Sequence, residues 1–480
     1  MANLNYLSIT EAHQLLSTKQ VSAKELTQFY IDKIRRLNPK LRAVLVVCEA
    51  QALEQAQQTD KKLANGLSIG MLEGIPYTAK DMFMTRGVQT TAGSKILENY
   101  TPPYSASVIQ KLDTAGAIMI AKVNQDEFAH GGSTENSSYH ATHNPWDLDR
   151  VPGGSSGGSA ASVAADFGIF SLGTDTGGSI RQPASYCGVT GFKPTYGVVS
   201  RYGVVAMASS FDCVGPVARS AQDAQIVFEI IAGKDPRDST TIELSTASQG
   251  LSRINAIFYD AEAAGRQVSS AVSELNSDIV SIKIGNDLTA FGSTELALAA
   301  YYVLVSSEIS SNLERYDGVR YGSSAKDADD LIQTYFKTRG EFFGPEVKRR
   351  NIIGTYALSA GYYDAYYKKA MQARTIIKKS LDKIFEHNDI ILTPTTLGGA
   401  FKLGSITDPV EMYQTDLLTV FANLAGIPAI SIPFGIELSS GMPLGLQIMG
   451  KQGNDLQVLN VANYLQTITN WHTKVSELKL

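Results

Sequence analysis

Apolar residues recur along this chain in two rhythms: short solid runs, and stretches with a period near 3.6. Solid runs of four to eight residues flanked by Gly or Pro read as buried strands, and the longer period reads as helices with one face in a core. The runs predict strands at 43–47, 75–79, 117–121, 169–172, 254–258, 279–284, 390–393, 429–432 and 445–449. Ser8-Ile9-Thr10-Glu11 and Ser22-Ala23-Lys24-Glu25 carry the serine-then-glutamate spacing that closes a helix N-terminus reciprocally. The second opens a helix with Leu26, Tyr30, Ile34 and Leu37 on one face, and Asn38-Pro39 predicts its stop. The longest helical pattern runs from about 361 to 387. Strands alternating with helices give an α/β fold, a mixed central sheet covered by helices on both faces. No Pro/Ser linker, low-complexity tract or internal repeat divides residues 1–480, which predicts one large domain.

Two glycine-serine loops stand out from this pattern. They are Pro152-Gly153-Gly154-Ser155-Ser156-Gly157-Gly158-Ser159 and Gly173-Thr174-Asp175-Thr176-Gly177-Gly178-Ser179. Glycine lets backbone N–H groups converge on one point, and a serine hydroxyl attacks a carbonyl once a base removes its proton. The usual base is histidine. His13, His140, His143, His387 and His472 fall in polar or terminal settings, and none of the six, His130 included, has an obvious catalytic context. Lys80 ends the apolar run 75–79; buried there, it needs a pKa drop of roughly three units to serve near neutrality. On its own it reads as a surface lysine at a strand end. Gly153-x-Ser155-x-Gly157 also matches the nucleophile-elbow spacing, which would need His387 or His472 as base. A nucleotide-binding module ranks last, because neither phosphate-loop spacing is present.

Lys80, the two loops, the continuation Ile180-Arg181-Gln182-Pro183, and Cys187-Gly188-Val189-Thr190-Gly191-Phe192-Lys193-Pro194 together resemble the amidase signature family. The resemblance implies a Ser-Ser-Lys triad with Ser179 as nucleophile. Ser155 is then the relay on a cis peptide bond, and Lys80 the base and later the acid. It implies an oxyanion hole from the N–H groups of Thr176, Gly177, Gly178 and Ser179, with a helix starting nearby to add its positive end. Ser156, Ser159 and Ser162 are expected to serve only turn formation and helix entry. The family domain would fill residues 1–480, with a helical region at 1–65 packed on a catalytic core at about 70–220.

A wider set of matches narrows the branch. It includes Ser133-Thr134-Glu135-Asn136-Ser137, Asn144-Pro145-Trp146-Asp147, Ser200-Arg201-Tyr202-Gly203, Asp235-Pro236-Arg237-Asp238 and Glu346-Val347-Lys348-Arg349-Arg350. These resemble the glutaminase subunits of tRNA-dependent amidotransferases. The resemblance implies hydrolysis of glutamine, with ammonia passed to glutamyl-tRNA(Gln) on a partner subunit. It implies no cofactor in this chain, ATP and Mg being used by the partner. It also implies a heterotrimer with amidotransferase subunits B and C, and tRNA contact mainly through the partner. A stand-alone amidase of the same family is the alternative. For the substrate's charged end the resemblance points to Arg350 beside Arg349, to Asp416, and to Tyr301 or its neighbour Tyr302. Without it, Tyr301 reads as helix packing and the arginines as a solvated basic helix start. His130 departs from the family pattern, which more often has Met. Asp166-Phe167 departs where the family tends to be small and glycine-rich.

Composition sets bounds on this reading. At 480 residues, 44% hydrophobic, 19% charged and a net charge of −5, the chain can bury a large core and carries no basic excess for nucleic acid. It is therefore not expected to grip tRNA alone. No apolar run approaches the roughly 20 residues that cross a bilayer, and the start Met-Ala-Asn-Leu-Asn-Tyr has no secretory pattern. The expected location is cytoplasmic, without a membrane. Cys48, Cys187 and Cys213 have no metal-like spacing and read as buried thiols.

Overall fold

Eleven strands join one mixed sheet in the computed structural model, which describes residues 3–245, 254–260, 268, 271–272, 274–285 and 288–476. They are β1 (Val44–Val47), β2 (Pro76–Lys80), β3 (Ile118–Val123), β4 (Phe170–Asp175), β5 (Thr190–Lys193) and β6 (Cys213–Ala218). The rest are β7 (Ile254–Phe258), β8 (Val280–Ile284), β9 (Ile390–Pro394), β10 (Ala429–Ile436) and β11 (Pro443–Gly450). Their order is β1-β3-β2-β4-β6-β5-β10-β11-β9-β7-β8. Helices flank the sheet, and two large apolar clusters fill its sides. Side chains alternate along each strand, so Ile390 and Leu392 enter one cluster and Ile391 the other.

All nine strands expected from solid apolar runs are present, with ends shifted by a few residues. β5 and β6 are additions. Their sequences, Thr190-Gly191-Phe192-Lys193 and Cys213-Val214-Gly215-Pro216-Val217-Ala218, contain Gly and Pro, residues depleted in strand interiors. Glycine is required at 215, because a Cβ there would collide with the Phe192 carbonyl.

Two helix expectations are corrected. The helix Ala23–Leu41 runs through Pro39 instead of stopping at it, and ends at a left-handed Arg42. The Asn38 side chain explains the later stop: its oxygen accepts the Ala43 and Val44 N–H groups at 2.8 and 2.9 Å. The pattern over 361–387 yields a helix only from Tyr367 to Ile384, because the chain turns after a left-handed Gly361. Both serine-glutamate boxes form as the sequence predicts.

The N-terminal helices pack beside β1, which joins the sheet at its edge. Asp166 fastens them to the core. Its carboxylate takes the Tyr6 N–H at 3.0 Å and pairs with Lys33 at 2.5 Å, with both charged side chains buried. The departure at 166 is thus a structural clamp.

The central strands position the chemistry. β2 lies parallel to both β3 and β4, with Tyr77 opposite Phe170 and Ala79 opposite Leu172. Tyr77 and Phe170 stack with centroids 4.9 Å apart, fixing this register. Lys80, at the end of β2, therefore comes level with the Gly173-Thr174 end of β4.

Candidate active site

Lys80 is fully buried, and its Nζ lies 2.7 Å from Ser155 Oγ, 2.9 Å from Ser156 Oγ and 2.8 Å from Thr174 Oγ1. Burial pulls its pKa down to about 7, against the opposing pull of Asp126, Asp212 and Asp175. The three oxygens are not equivalent. Ser156 donates its own hydroxyl hydrogen to the Thr174 carbonyl at 3.0 Å, so toward Lys80 it accepts. Among the described residues, Ser155 gives its hydroxyl hydrogen to no backbone carbonyl and can give it to a neutral lysine. Ser156 is therefore more than a helix entry, which corrects the sequence expectation, and Thr174 is an unanticipated member of the cradle. Ser159 and Ser162 also do more than form the turn: the Ser159 hydroxyl donates to the Leu172 carbonyl of β4 at 2.9 Å, and Ser162 Oγ lies 2.9 Å from Thr78 Oγ1 of β2.

The peptide bond between Gly154 and Ser155 is cis. The Gly154 N–H donates to Gln182 Oε1 at 2.9 Å, and Gln182 Nε2 donates to the Gly132 carbonyl at 2.8 Å. One glutamine thus ties the Ser155 loop, the turn at 132 and the helix Arg181–Cys187.

The second loop is joined to the first by the Ser156 N–H, which donates to the Ser179 carbonyl at 3.1 Å. Ser179 is 8% exposed. Among the described residues, the N–H groups of Thr176, Gly177, Gly178 and Ser179 have no protein acceptor. The loop's own carbonyls and side chains are pinned: Thr419 Oγ1 donates to the Gly177 carbonyl at 2.6 Å, and Thr176 Oγ1 to Asp212 at 2.8 Å. Gly178 has φ +139, and a Cβ on it would collide with Thr419. The helix starts at Arg181, and Asp175 already accepts the Ile180 and Arg181 N–H groups at 3.2 and 3.4 Å. Arg181 holds Asp175 in a fully buried pair at 2.8 Å. Burial opposes the Asp175 charge, but Arg181 outweighs it and keeps the pKa at about 2. The positive helix end is therefore already met by an anion, and the loop N–H groups are the available donors.

A second polar cluster surrounds Tyr302, whose ring packs edge-on against Tyr301. Arg350 is 3% exposed, whereas 41% of the Arg349 side chain is open to solvent, so the two adjacent arginines separate clearly. Glu346, one turn earlier on the helix Pro345–Leu358, accepts Arg350 Nε at 2.7 Å. The Arg350 guanidinium carbon lies 5.1 and 5.4 Å from the Tyr302 and Tyr413 ring centroids, and those rings stack 3.9 Å apart. Burial opposes the Arg350 charge, but Glu346 and the tyrosines raise its pKa above the ordinary value. Tyr302, not Tyr301, donates to Asp416 Oδ2, at 2.8 Å. Burial pushes Asp416 up to about 7. Tyr301 packs edge-on against Phe211 and Tyr302, and its hydroxyl fills the space a Cβ on Gly177 would need. It borders the second loop instead of bonding Asp416.

His387 is exposed past the end of its helix, and His472 lies near Arg219; no hydrogen bond joins either to Ser155. The alternative with a histidine base has no support in this geometry. The three cysteines are buried free thiols. No described helix is long and apolar enough to cross a membrane.

Comparison with known proteins agrees with this architecture. The family model described as Amidase matches residues 25–459. The A subunit of glutamyl-tRNA(Gln) amidotransferase from Acaryochloris marina is 49% identical, covering 97% of this chain and 98% of that protein. The protein of the same name from Heliobacterium modesticaldum is 49% identical over 98% of both. The crystal structure of the corresponding A subunit from Thermotoga maritima superposes with a TM-score of 0.80 at 38% identity, over 100% of this chain and 99% of that one. A bacterial aryl acylamidase, 22% identical with a TM-score of 0.85, shares the fold. The chain belongs to the amidase family.

Proposed function

We propose that this chain is the glutamine-hydrolysing subunit of a tRNA-dependent amidotransferase, with Ser179 as nucleophile, Ser155 as proton relay and Lys80 as base. The observation that carries the chemistry is the buried Lys80 amine within hydrogen-bond reach of Ser155 Oγ, at 2.7 Å. With its pKa near 7, a large share of Lys80 is neutral at physiological pH. It takes the Ser155 proton while Ser155 takes that of Ser179, whose oxygen attacks the side-chain amide carbon of glutamine. The N–H groups of Thr176, Gly177 and Gly178 meet the oxyanion, each donor worth roughly 2.7–4 kcal/mol. Lys80 returns the proton through Ser155 to the leaving nitrogen, and ammonia departs. Water then attacks the Ser179 ester by the reverse relay and releases glutamate.

The choice of glutamine rests on Arg350 for its α-carboxylate and Asp416, held by Tyr302, for its α-ammonium. Arginine offers a planar fork to a carboxylate, and burial makes each pairing count. The assembly reading rests on near full-length similarity to amidotransferase A subunits. In it, subunits B and C complete the enzyme, and ATP and Mg act on the partner, where glutamyl-tRNA(Gln) receives the ammonia.

The test is a coupled assay on the chain co-expressed with candidate B and C subunits. Glutamine-dependent amidation of glutamyl-tRNA(Gln) is expected, lost with Ser179→Ala while added ammonium still supports it. Amidation from glutamine by the Ser179→Ala complex would overturn the assignment.

A further inference from the structure

His130 is a buried group that this mechanism leaves unused. Phe128 and Ala129, just before it, have φ of 48° and 63°, in the left-handed region that residues with a Cβ rarely adopt. The surroundings over-determine this turn. The Asp126 carboxylate accepts the Thr134 and Asn136 N–H groups at 2.9 and 3.0 Å, and its carbonyl accepts the Ala129 N–H at 2.9 Å. Asn136 Nδ2 donates to the His130 carbonyl at 3.2 Å. A side chain presented from a strained, tightly held turn is placed there by the whole fold.

The ring's hydrogen is assigned by its partner. His130 Nδ1 lies 2.6 Å from the Phe128 carbonyl, which can only accept, so Nδ1 carries the hydrogen and Nε2 presents a lone pair. Nε2 is buried, and among the described residues no protein group donates to it. Burial and the nearby Arg350 charge hold the ring neutral, with its pKa down at about 3, so the lone pair persists. A buried acceptor without a donor is costly and calls for one.

The neighbourhood says which donor. Arg350 and Glu346 are the charged side chains that act on the ring. Two residues on, Gly132 has no room for a Cβ against Thr415 Oγ1, the neighbour of Asp416. His130 therefore lies near Arg350, on a turn whose Gly132 abuts Thr415, and so borders the region where the glutaminase reading above puts the substrate's zwitterionic end. The substrate group there that donates hydrogens is the α-ammonium.

We propose that His130 Nε2 accepts a hydrogen bond from the substrate's α-ammonium and helps the site select amino acids over amides that lack the α-amino group. This inference rests on the proposed glutaminase function.

The experiment compares glutamine with glutaramate, the same amide without the α-amino group, on the assembled enzyme. His130→Met removes the acceptor at similar length, and His130→Gln keeps a carbonyl acceptor. His130→Met is expected to raise KM for glutamine about tenfold, with far smaller changes in kcat and with glutaramate. His130→Gln is expected to recover part of the loss. Wild-type enzyme with no preference for glutamine over glutaramate overturns both the proposed function and this assignment. A preference undiminished by His130→Met, or an equal loss on both substrates, overturns the assignment alone.

Discussion

The Ser156 backbone N–H donates to the Ser179 carbonyl at 3.1 Å, while the Ser156 hydroxyl accepts from Lys80 at 2.9 Å. One residue thus couples the two serine loops and holds the lysine. Ser156→Ala keeps the backbone bond and removes the hydroxyl. Loss of a hydrogen bond to a charged or buried partner costs about 1.5–3 kcal/mol, so kcat should fall roughly 10- to 100-fold with KM little changed. Thr174→Val should act in the same direction. Steady-state glutaminase kinetics check this, and wild-type kcat in Ser156→Ala would show that the hydroxyl only shapes the turn.

The pH profile should depend on the substrate. Lys80 must be neutral, and its active form is lost as pH falls through about 7. Asp416 must be ionised to hold an ammonium, and that form too is lost as pH falls through about 7. Below pH 7, log kcat/KM should rise with a slope approaching about two for glutamine and about one for an uncharged primary amide. Asp126 and Glu127 are also pushed up to about 7 by burial, so the difference is assigned to Asp416 by its loss in Asp416→Asn. Equal slopes would remove Asp416 from the pocket, and a flat profile with both would remove Lys80 as base.

Substitutions at the charged end should separate binding from chemistry. Breaking one partner of a buried charge pair costs about 2–5 kcal/mol, or roughly 30- to several-thousand-fold. Arg350→Ala and Asp416→Ala should lose that much kcat/KM for glutamine and far less for an uncharged amide. Arg349→Ala, on the solvent side of the same helix, should stay within about threefold. A selective loss in Arg349→Ala with a silent Arg350→Ala would shift the register by one.

Much of this was legible in the sequence. Strands with uninterrupted apolar runs were readable, whereas β5 and β6 were hidden by Gly191, Gly215 and Pro216, which only tertiary pairing makes tolerable. Lys80 and both loops stand out as motifs. Thr174 and Ser156 as lysine partners did not, because their approach depends on the parallel register of β2 and β4. The choice between Tyr301 and Tyr302 depends on the rotation of the helix Thr294–Asn312 against Asp416, and apolar residues flank both in the sequence, so periodicity does not decide it. Glu346 had a local signal, four residues before Arg350 on one helix face.

The Asp166 clamp should matter for stability rather than catalysis. Asp166→Asn tolerates the left-handed backbone, φ 57°, but leaves Lys33 buried without its counter-charge. A loss of about 3–5 kcal/mol in denaturant unfolding is expected, with kcat intact at low temperature. A change below about 1 kcal/mol would show that solvent already reaches the pair.

The central claim is an acyl-enzyme on Ser179 formed with Lys80 as base, and peptide mass spectrometry after rapid acid quench with glutamine tests it most directly. The γ-glutamyl adduct is expected on the peptide containing Ser179, and is expected to be absent in Ser179→Ala and in Lys80→Ala. An adduct on any other side chain, or undiminished glutamine turnover by Ser179→Ala, would contradict the account.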